Sequence, residues 1–210
     1  MGVDVGHAVA VRRWCDSRTG LACATLLLLL LAGGAPARAQ APCEVVLAHV
    51  VSVQGRVEVR RGSAAWSPVE RDAPLCRGDT IRVHPFGRAA LRLSNETMLR
   101  LDQGTMLTLA PPDTRRATLI EQLSGGLHVM TRTPRAFGVK TPFINANVDG
   151  TEFAVRTSET GTTVVVFEGE VQASNDAHSA TLASGEQVSS AGAGAALEAV
   201  DATCGWRPEE

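Results

Sequence analysis

"LRLSNETMLRLDQGTMLTL", residues 91–109, states one eight-residue phrase twice and opens it a third time. Leu91–Met98 and Leu99–Met106 agree at five of eight positions, with Leu-Arg-Leu in front and Thr-Met behind, and Leu107-Thr108-Leu109 begins again. A leucine at every second position is the period of a β-strand, which places both leucines of a unit on one face and the arginine on the other. "SNE" and "DQG" then provide residues suited to a turn. Each unit therefore predicts one short strand and one corner, with Arg92 and Arg100 in water. Such a unit cannot bury its apolar face alone, so copies must cover one another, either as stacked coils or as an antiparallel meander.

The same period runs outward from the repeat. In "VVSVQGRVEVR" (50–60) Val51, Val53, Val57 and Val59 share one parity and Ser52, Gln54, Arg56, Glu58 and Arg60 the other, which predicts a strand, or a hairpin bent at Gly55, with one face in a core. "TIRVH" (80–84), "TLIEQL" (118–123), "LHVMT" (127–131), "EFAVRT" (152–157), "TTVVVF" (162–167) and "EVQAS" (170–174) continue it. Between them stand "RGD", "SGG", "DGT", "ETGT", "EGE" and "SGE", which supply turn residues. A helix over 113–123, closed by Gly125, ranks below a strand there. The predicted fold class is all-β, short strands in a β-solenoid-like or β-sandwich-like coil of stacked repeats.

A chain of 210 residues suits one core, or one domain with appendages. It has no Tyr, and nineteen of its twenty basic residues are Arg, so the core must be built from Leu, Val and Ala. The formal charge of −2 is mixed along the chain, which leaves no basic stripe for phosphates and argues against nucleic-acid binding.

The first 39 residues read as a signal peptide. Arg12, Arg13 and Arg18 precede an uncharged run with six leucines at 26–31, and Ala37-Arg38-Ala39 has the small-x-small form of a cleavage site. The strongly apolar portion falls short of the ~20 residues that span a bilayer, so the mature chain is expected to be exported and not membrane-spanning, in the periplasm or at the cell surface. Residues 40–190 form the predicted β domain. Residues 191–210 read as a linker, "AGAGAALEAV", and the start of a following segment with Cys204 and Trp206.

Cys43, Cys76 and Cys204 survive cleavage into an oxidising compartment, where cross-links are the usual fate of spaced cysteines. Cys43 lies just before the first strand-like run and Cys76 at the end of the first loop, so these two are expected to pair. Cys204 is then odd, which implies an intermolecular partner or further chain.

Few residues stand in a pattern that chemistry requires. His49, His84, His128 and His178 stand at no metal-ligand spacing, and G-x-S-x-G, P-loop and H-E-x-x-H motifs are missing, so no catalytic residue, metal or cofactor is expected. "NANVDG" (145–150) imitates half a calcium loop, but Arg156 occupies the position of the bidentate Glu. "RGD" (77–79) reads as a turn before "TIRV" and not as an adhesion motif. Asn95-Glu96-Thr97 is a formal glycosylation sequon that corner chemistry explains.

In order, "VSVQGRVEVRRG", "RGDTIRV", "GRAALRLS", "GGLHVMT", "VKTPFINANVDGTEFAV", "VVVFEGEVQAS" and "TLASGEQV" resemble the FecR-type domain of the bacterial periplasm, over about residues 48–190. The resemblance implies a β-rich, non-catalytic domain that acts through protein contacts and relays a signal. It also implies structural roles for Gly55, Val57, Gly78, Asp79, Thr141, Pro142, Gly150, Thr151, Phe153, Val155, Gly169, Val171, Gly185 and Gln187. Eighteen residues before Thr19 are too few for the family's cytoplasmic sigma-binding portion, so the expectation is the exported module without it, a part of a larger envelope protein with an unidentified envelope partner. The competing expectation is a peptidoglycan- or carbohydrate-binding module. It loses ground because Trp66 and Trp206 lie outside the repeats, which leaves no aromatic platform.

Overall fold

The structure, a computed structural model, describes residues 43, 45–110, 118–132, 137–192, 194–197 and 199–202. The predicted signal peptide, Cys204 and Trp206 lie outside them. The chain forms β1 (Val46–Gln54), β2 (Val57–Arg61), β3 (Ser67–Pro68), β4 (Pro74–Cys76), β5 (Asp79–Val83), β6 (Arg88–Leu93), β7 (Met98–Leu101) and β8 (Met106–Ala110). It continues with β9 (Thr118–Met130), β10 (Phe137–Lys140), β11 (Asn145–Val148), β12 (Glu152–Thr157) and β13 (Thr162–Glu168). The last strands are β14 (Glu170–Ser174), β15 (Ser179–Ala183), β16 (Glu186–Ser190) and β17 (Val200–Asp201).

Hydrogen bonds join these strands into one continuous mixed sheet, which β9 divides into two halves. The first half runs β4-β1-β6-β7-β9-β12-β13-β16-β17 and the second runs β3-β2-β5-β8-β9-β10-β11-β14-β15. Leu91, Leu99, Phe153 and Val164 of the first half and Ile81, Leu107, Val139 and Val171 of the second belong to one buried cluster, so each half gives one face to a common core. The fold is all-β, and of the two coils foreseen it is the sandwich-like one.

β9 explains the division. Its leading portion buries Ile120 and Gln122, and its trailing portion buries Leu127 and Val129, so the inward parity changes from even to odd within the strand. Alternation along a strand cannot change parity without a break. Ser124-Gly125-Gly126 provides it, with Gly125 at φ +85°. "SGG" is therefore a bend inside one 13-residue strand and not, as predicted, a turn between two strands. Gln122, fully buried, donates from Nε2 to the Gly125 carbonyl at 2.8 Å and covers a backbone acceptor at the bend. The trailing portion of β9 also carries the chain away before it returns, which is why β10 can lie parallel to the leading portion while the other described pairings are antiparallel.

The repeat is an antiparallel pair and not a stacked coil. β6 and β7 place Leu91 directly opposite Leu99, and both Arg92 and Arg100 are exposed. The third opening, Leu107-Thr108-Leu109, crosses to the second half and buries both leucines there. A buried leucine stabilises the fold by about 1.5–3 kcal/mol over an exposed one, so this segment is a principal source of core energy. The two corners match in backbone conformation, since Glu96 has φ +65° and Gly104, eight positions on, has φ +72°.

Two expectations for residues 50–60 need correction. The buried side of β1 is Ala48 and Val50, with Val51 and Val53 only partly buried, because a bulge between Val50 and Ser52 shifts the register against β6. Gly55, at φ +67°, makes a corner between the two halves and not a hairpin, since β1 pairs in one half and β2 in the other.

Candidate functional site

The outward face of β2 and β5 carries a cluster that alternation alone places in water. Glu58 stands directly opposite Arg82, and Arg60 opposite Thr80. The β3 strand pairs Ser67 with Val59, which delivers Trp66 beside Arg60. Although it lies on the outward parity, Glu58 is only 5% exposed. Its Oε2 accepts from Arg82 Nη2 at 2.6 Å and contacts His84 Nε2 at 2.7 Å, and its Oε1 accepts from Arg56 Nη2 at 2.7 Å and Nε at 3.2 Å. A buried carboxylate without partners would be strongly disfavoured. Here the Arg82, His84 and Arg56 hydrogen bonds outweigh burial and lower its pKa from 4.5 to about 2, so it is ionised at neutral pH.

Trp66 completes the cluster. The Arg82 guanidinium carbon lies 4.2 Å from the ring centroid and that of Arg60 lies 4.8 Å from it, both within cation–π range. Arg60 has no hydrogen bond or ion pair among the described residues, and the Nε atoms of Arg60 and Arg82 are buried without an acceptor. Arg56, Arg60 and Arg82 against Glu58 leave a formal charge of +2 with His84 neutral. Guanidiniums are planar donors suited to carboxylates and similar anions, and the set offers no nucleophile paired with a base.

A second feature gathers the segments that carried the family resemblance. Gly169 packs against the turn at Gly150 and Thr151, where a Cβ added to it would stand 2.7 Å from Thr151 Cγ2 and 3.2 Å from the Gly150 carbonyl oxygen. That turn borders a hollow of about 250 Å³ lined by Met130, Thr131, Arg132, Gly150, Thr151, Glu152 and Glu168. Glu152 and Glu168 are cross-strand neighbours there, and Glu152 Oε1 is 3.0 Å from His128 Nε2. Burial pushes the His128 imidazole below its ordinary pKa against the opposing pull of Glu152.

The remaining predicted residues are structural in surroundings. Gly55, Gly78, Gly150, Gly169 and Gly185 all have positive φ. Val57, Phe153, Val155 and Val171 are buried in the core, while Gln187 is half-buried on β16 and Pro142 is exposed. Thr141 caps its own turn, with Oγ1 donating to the Ile144 carbonyl at 2.7 Å and accepting from the Ile144 N–H at 3.0 Å. Asp79, 2% exposed, accepts from the Cys76 N–H at 2.7 Å. A carboxylate so placed is a structural part of the turn, unavailable to an adhesion receptor. Cys43 and Cys76 form a disulfide with Cα atoms 5.5 Å apart. Among the described residues no group of three or more His, Cys, Asp or Glu could hold a metal ion, and no helix is long and apolar enough to cross a membrane.

None of the Glu58 cluster was singled out from the sequence as a site. Its one legible signal is charge on successive outward positions of β2 and β5 near a lone Trp; the register that joins them is not local.

The fold is that of an all-β module, and its described outward surface carries the Glu58–Trp66 cluster. Residues 79–172 match the FecR protein family, and this segment is a FecR-type domain. Two crystal structures of a "putative anti-sigma factor" from Parabacteroides distasonis ATCC 8503 are similar in fold, each with a TM-score of 0.52 and 20% identity over 58% of this chain and 59% of that chain. The similarity thus spans less than two thirds of either protein. No curated protein matches the chain.

Proposed function

We propose that the chain is an exported, non-catalytic FecR-type module of the bacterial cell envelope that relays a signal through contact with another envelope protein. The observation that carries this reading is the FecR match over β5 to β14, the body of the two-sided sheet. Three others support it: the two crystal structures similar in fold are of a "putative anti-sigma factor", the leader of 39 residues has the charge and apolar pattern of an export signal, and a disulfide ties Cys43 to Cys76. The relay runs by protein contact, and the module is part of a larger periplasmic or surface protein.

The test is deletion of the gene in its own organism with transcript profiling, complemented by the wild-type chain and by a chain lacking the leader. A changed transcript set restored only by the exported form is expected. Unchanged transcripts and envelope would overturn the relay, restoration by the leaderless form would overturn export, and retention of purified protein on sacculi would favour cell-wall binding instead.

A further inference from the structure

We propose that the Trp66 cluster is the docking surface for an acidic segment of a partner protein, seated on the face of the second half-sheet with its carboxylates on Arg60 and Arg82. The inference rests on the interaction role above for its setting and names the partner's chemistry and place.

Charge complementarity is the first argument. Two guanidiniums and His84 hold one buried carboxylate, which is thereby committed, and a third guanidinium, Arg60, lies beside them over Trp66. Glu58 and Trp66 hold Arg82 in place, so part of its ordering cost is met before a partner arrives. Arg60 is held by the indole ring without spending a hydrogen bond. Its planar fork fits a carboxylate through two parallel N–H···O contacts.

The neighbouring architecture selects the face and the class of partner. The sheet edge at β3 is two residues long, and one of them is Pro68, which has no N–H to offer an added strand. A partner therefore lies across the face. Further along that face the row of Arg60 continues through Thr80, Thr108, Glu121 and Lys140, the last two an ion pair without net charge, and beyond them lie Asn147, Gln172 and Thr181, then Asn145, Ser174 and Ser179, all uncharged. A polyphosphate backbone would need cations repeated along its track. A short run of carboxylates followed by polar backbone needs them only at one end.

The test uses the full chain and a fluorescein-labelled peptide of alternating Glu and Ser, followed by anisotropy with and without added salt. Saturable, salt-weakened binding is expected. Arg60→Gln should weaken it about tenfold, the loss of one charge-assisted contact, with unchanged circular dichroism because the Arg60 side chain has no hydrogen bond within the described fold. Arg60→Lys, which keeps the charge and loses the fork, should weaken it as well. The double variant Arg92→Gln, Arg100→Gln, on the outward face of the other half, should bind as wild type.

Absence of binding overturns the proposal, and so does equal weakening by the Arg92 and Arg100 variant, which would mean diffuse attraction. Arg60-dependent retention on phosphatidylglycerol vesicles without peptide binding would assign the surface to a membrane. If the peptide fails while gene deletion still changes transcripts, only this surface is wrong. If it binds as expected while deletion changes nothing, the surface stands and the relay falls.

Discussion

Replacing Gly125 by Ala tests the central claim about the architecture, that one strand serves both halves of the sheet. Gly125 has φ +85°, and an L-residue in the left-handed region loses roughly 1–2 kcal/mol. The added Cβ would also stand 2.5 Å from Thr105 N and 2.6 Å from Thr105 Oγ1, and closer still to Thr105 Cα. These atoms are backbone or tied to it, so the corner itself must move. That corner is held by Thr105 Oγ1, which lies 2.8 Å from the Gly126 carbonyl and accepts the Gly126 N–H at 3.1 Å. Losing these contacts adds about 0.5–1.5 kcal/mol each. The sum is about 2–5 kcal/mol, a large share of the 5–15 kcal/mol typical of a domain.

Two further variants separate the contributions. Gly185→Ala meets open space at φ +86° and isolates the conformational cost, roughly 1–2 kcal/mol. Gly126→Ala meets only Asp102 Cβ at 3.3 Å, a mild crowding. The assay is equilibrium urea unfolding under non-reducing conditions, comparing midpoints at constant slope. If Gly125→Ala destabilises no more than Gly185→Ala, β9 does not press against the Thr105 corner, and the reasoning about the bend is wrong.

Leu99→Ala, at a fully buried position, should cost about 2–5 kcal/mol in the same assay, whereas Leu123→Ala, 52% exposed, should change stability by about 0.5 kcal/mol or less. The pair Cys43→Ser, Cys76→Ser opens a cross-link of sequence separation 33 and should cost roughly 3–4 kcal/mol by loss of chain constraint, matched by wild type under strong reductant. Glu96→Gly removes a left-handed non-glycine residue at the repeat's first corner and should gain about 0.5–1 kcal/mol, with no gain refuting the strain. Glu58 has its pKa lowered in the fold from 4.5 to about 2, so it favours the fold above about pH 4.5 and ceases to do so as pH falls towards 2. Thermal melts of Glu58→Gln should therefore fall less steeply than wild type across that window, and parallel curves would contradict the assigned ion cluster.

Much of the fold could be read locally. The alternation in "LRL" placed Leu91, Leu93, Leu99 and Leu101 inward and Arg92 and Arg100 outward, as the structure has them, because alternation is a property of the strand itself. The residues of the family motif could be read as turn and core positions for a similar reason: a positive φ at Gly150 or Gly169 is a local requirement. The reading went astray at Val51 and at "SGG", where a bulge and a bend change parity. Neither can be distinguished from a turn by period alone, since each is imposed by the strand opposite.

The sequence by itself thus determined that the chain is β throughout its described body, where most of its corners fall, and which leucines of the repeat are buried. Tertiary structure decided to which half each strand belongs, that β9 belongs to both, and that Glu58, on a parity that faces water, is covered by Arg56, Arg82 and His84. The physical reason is range. Side-chain alternation and turn geometry are set within a few residues, but the meeting of Glu58 with Arg82, 24 positions away, depends on strand register, which only the packed sheet establishes.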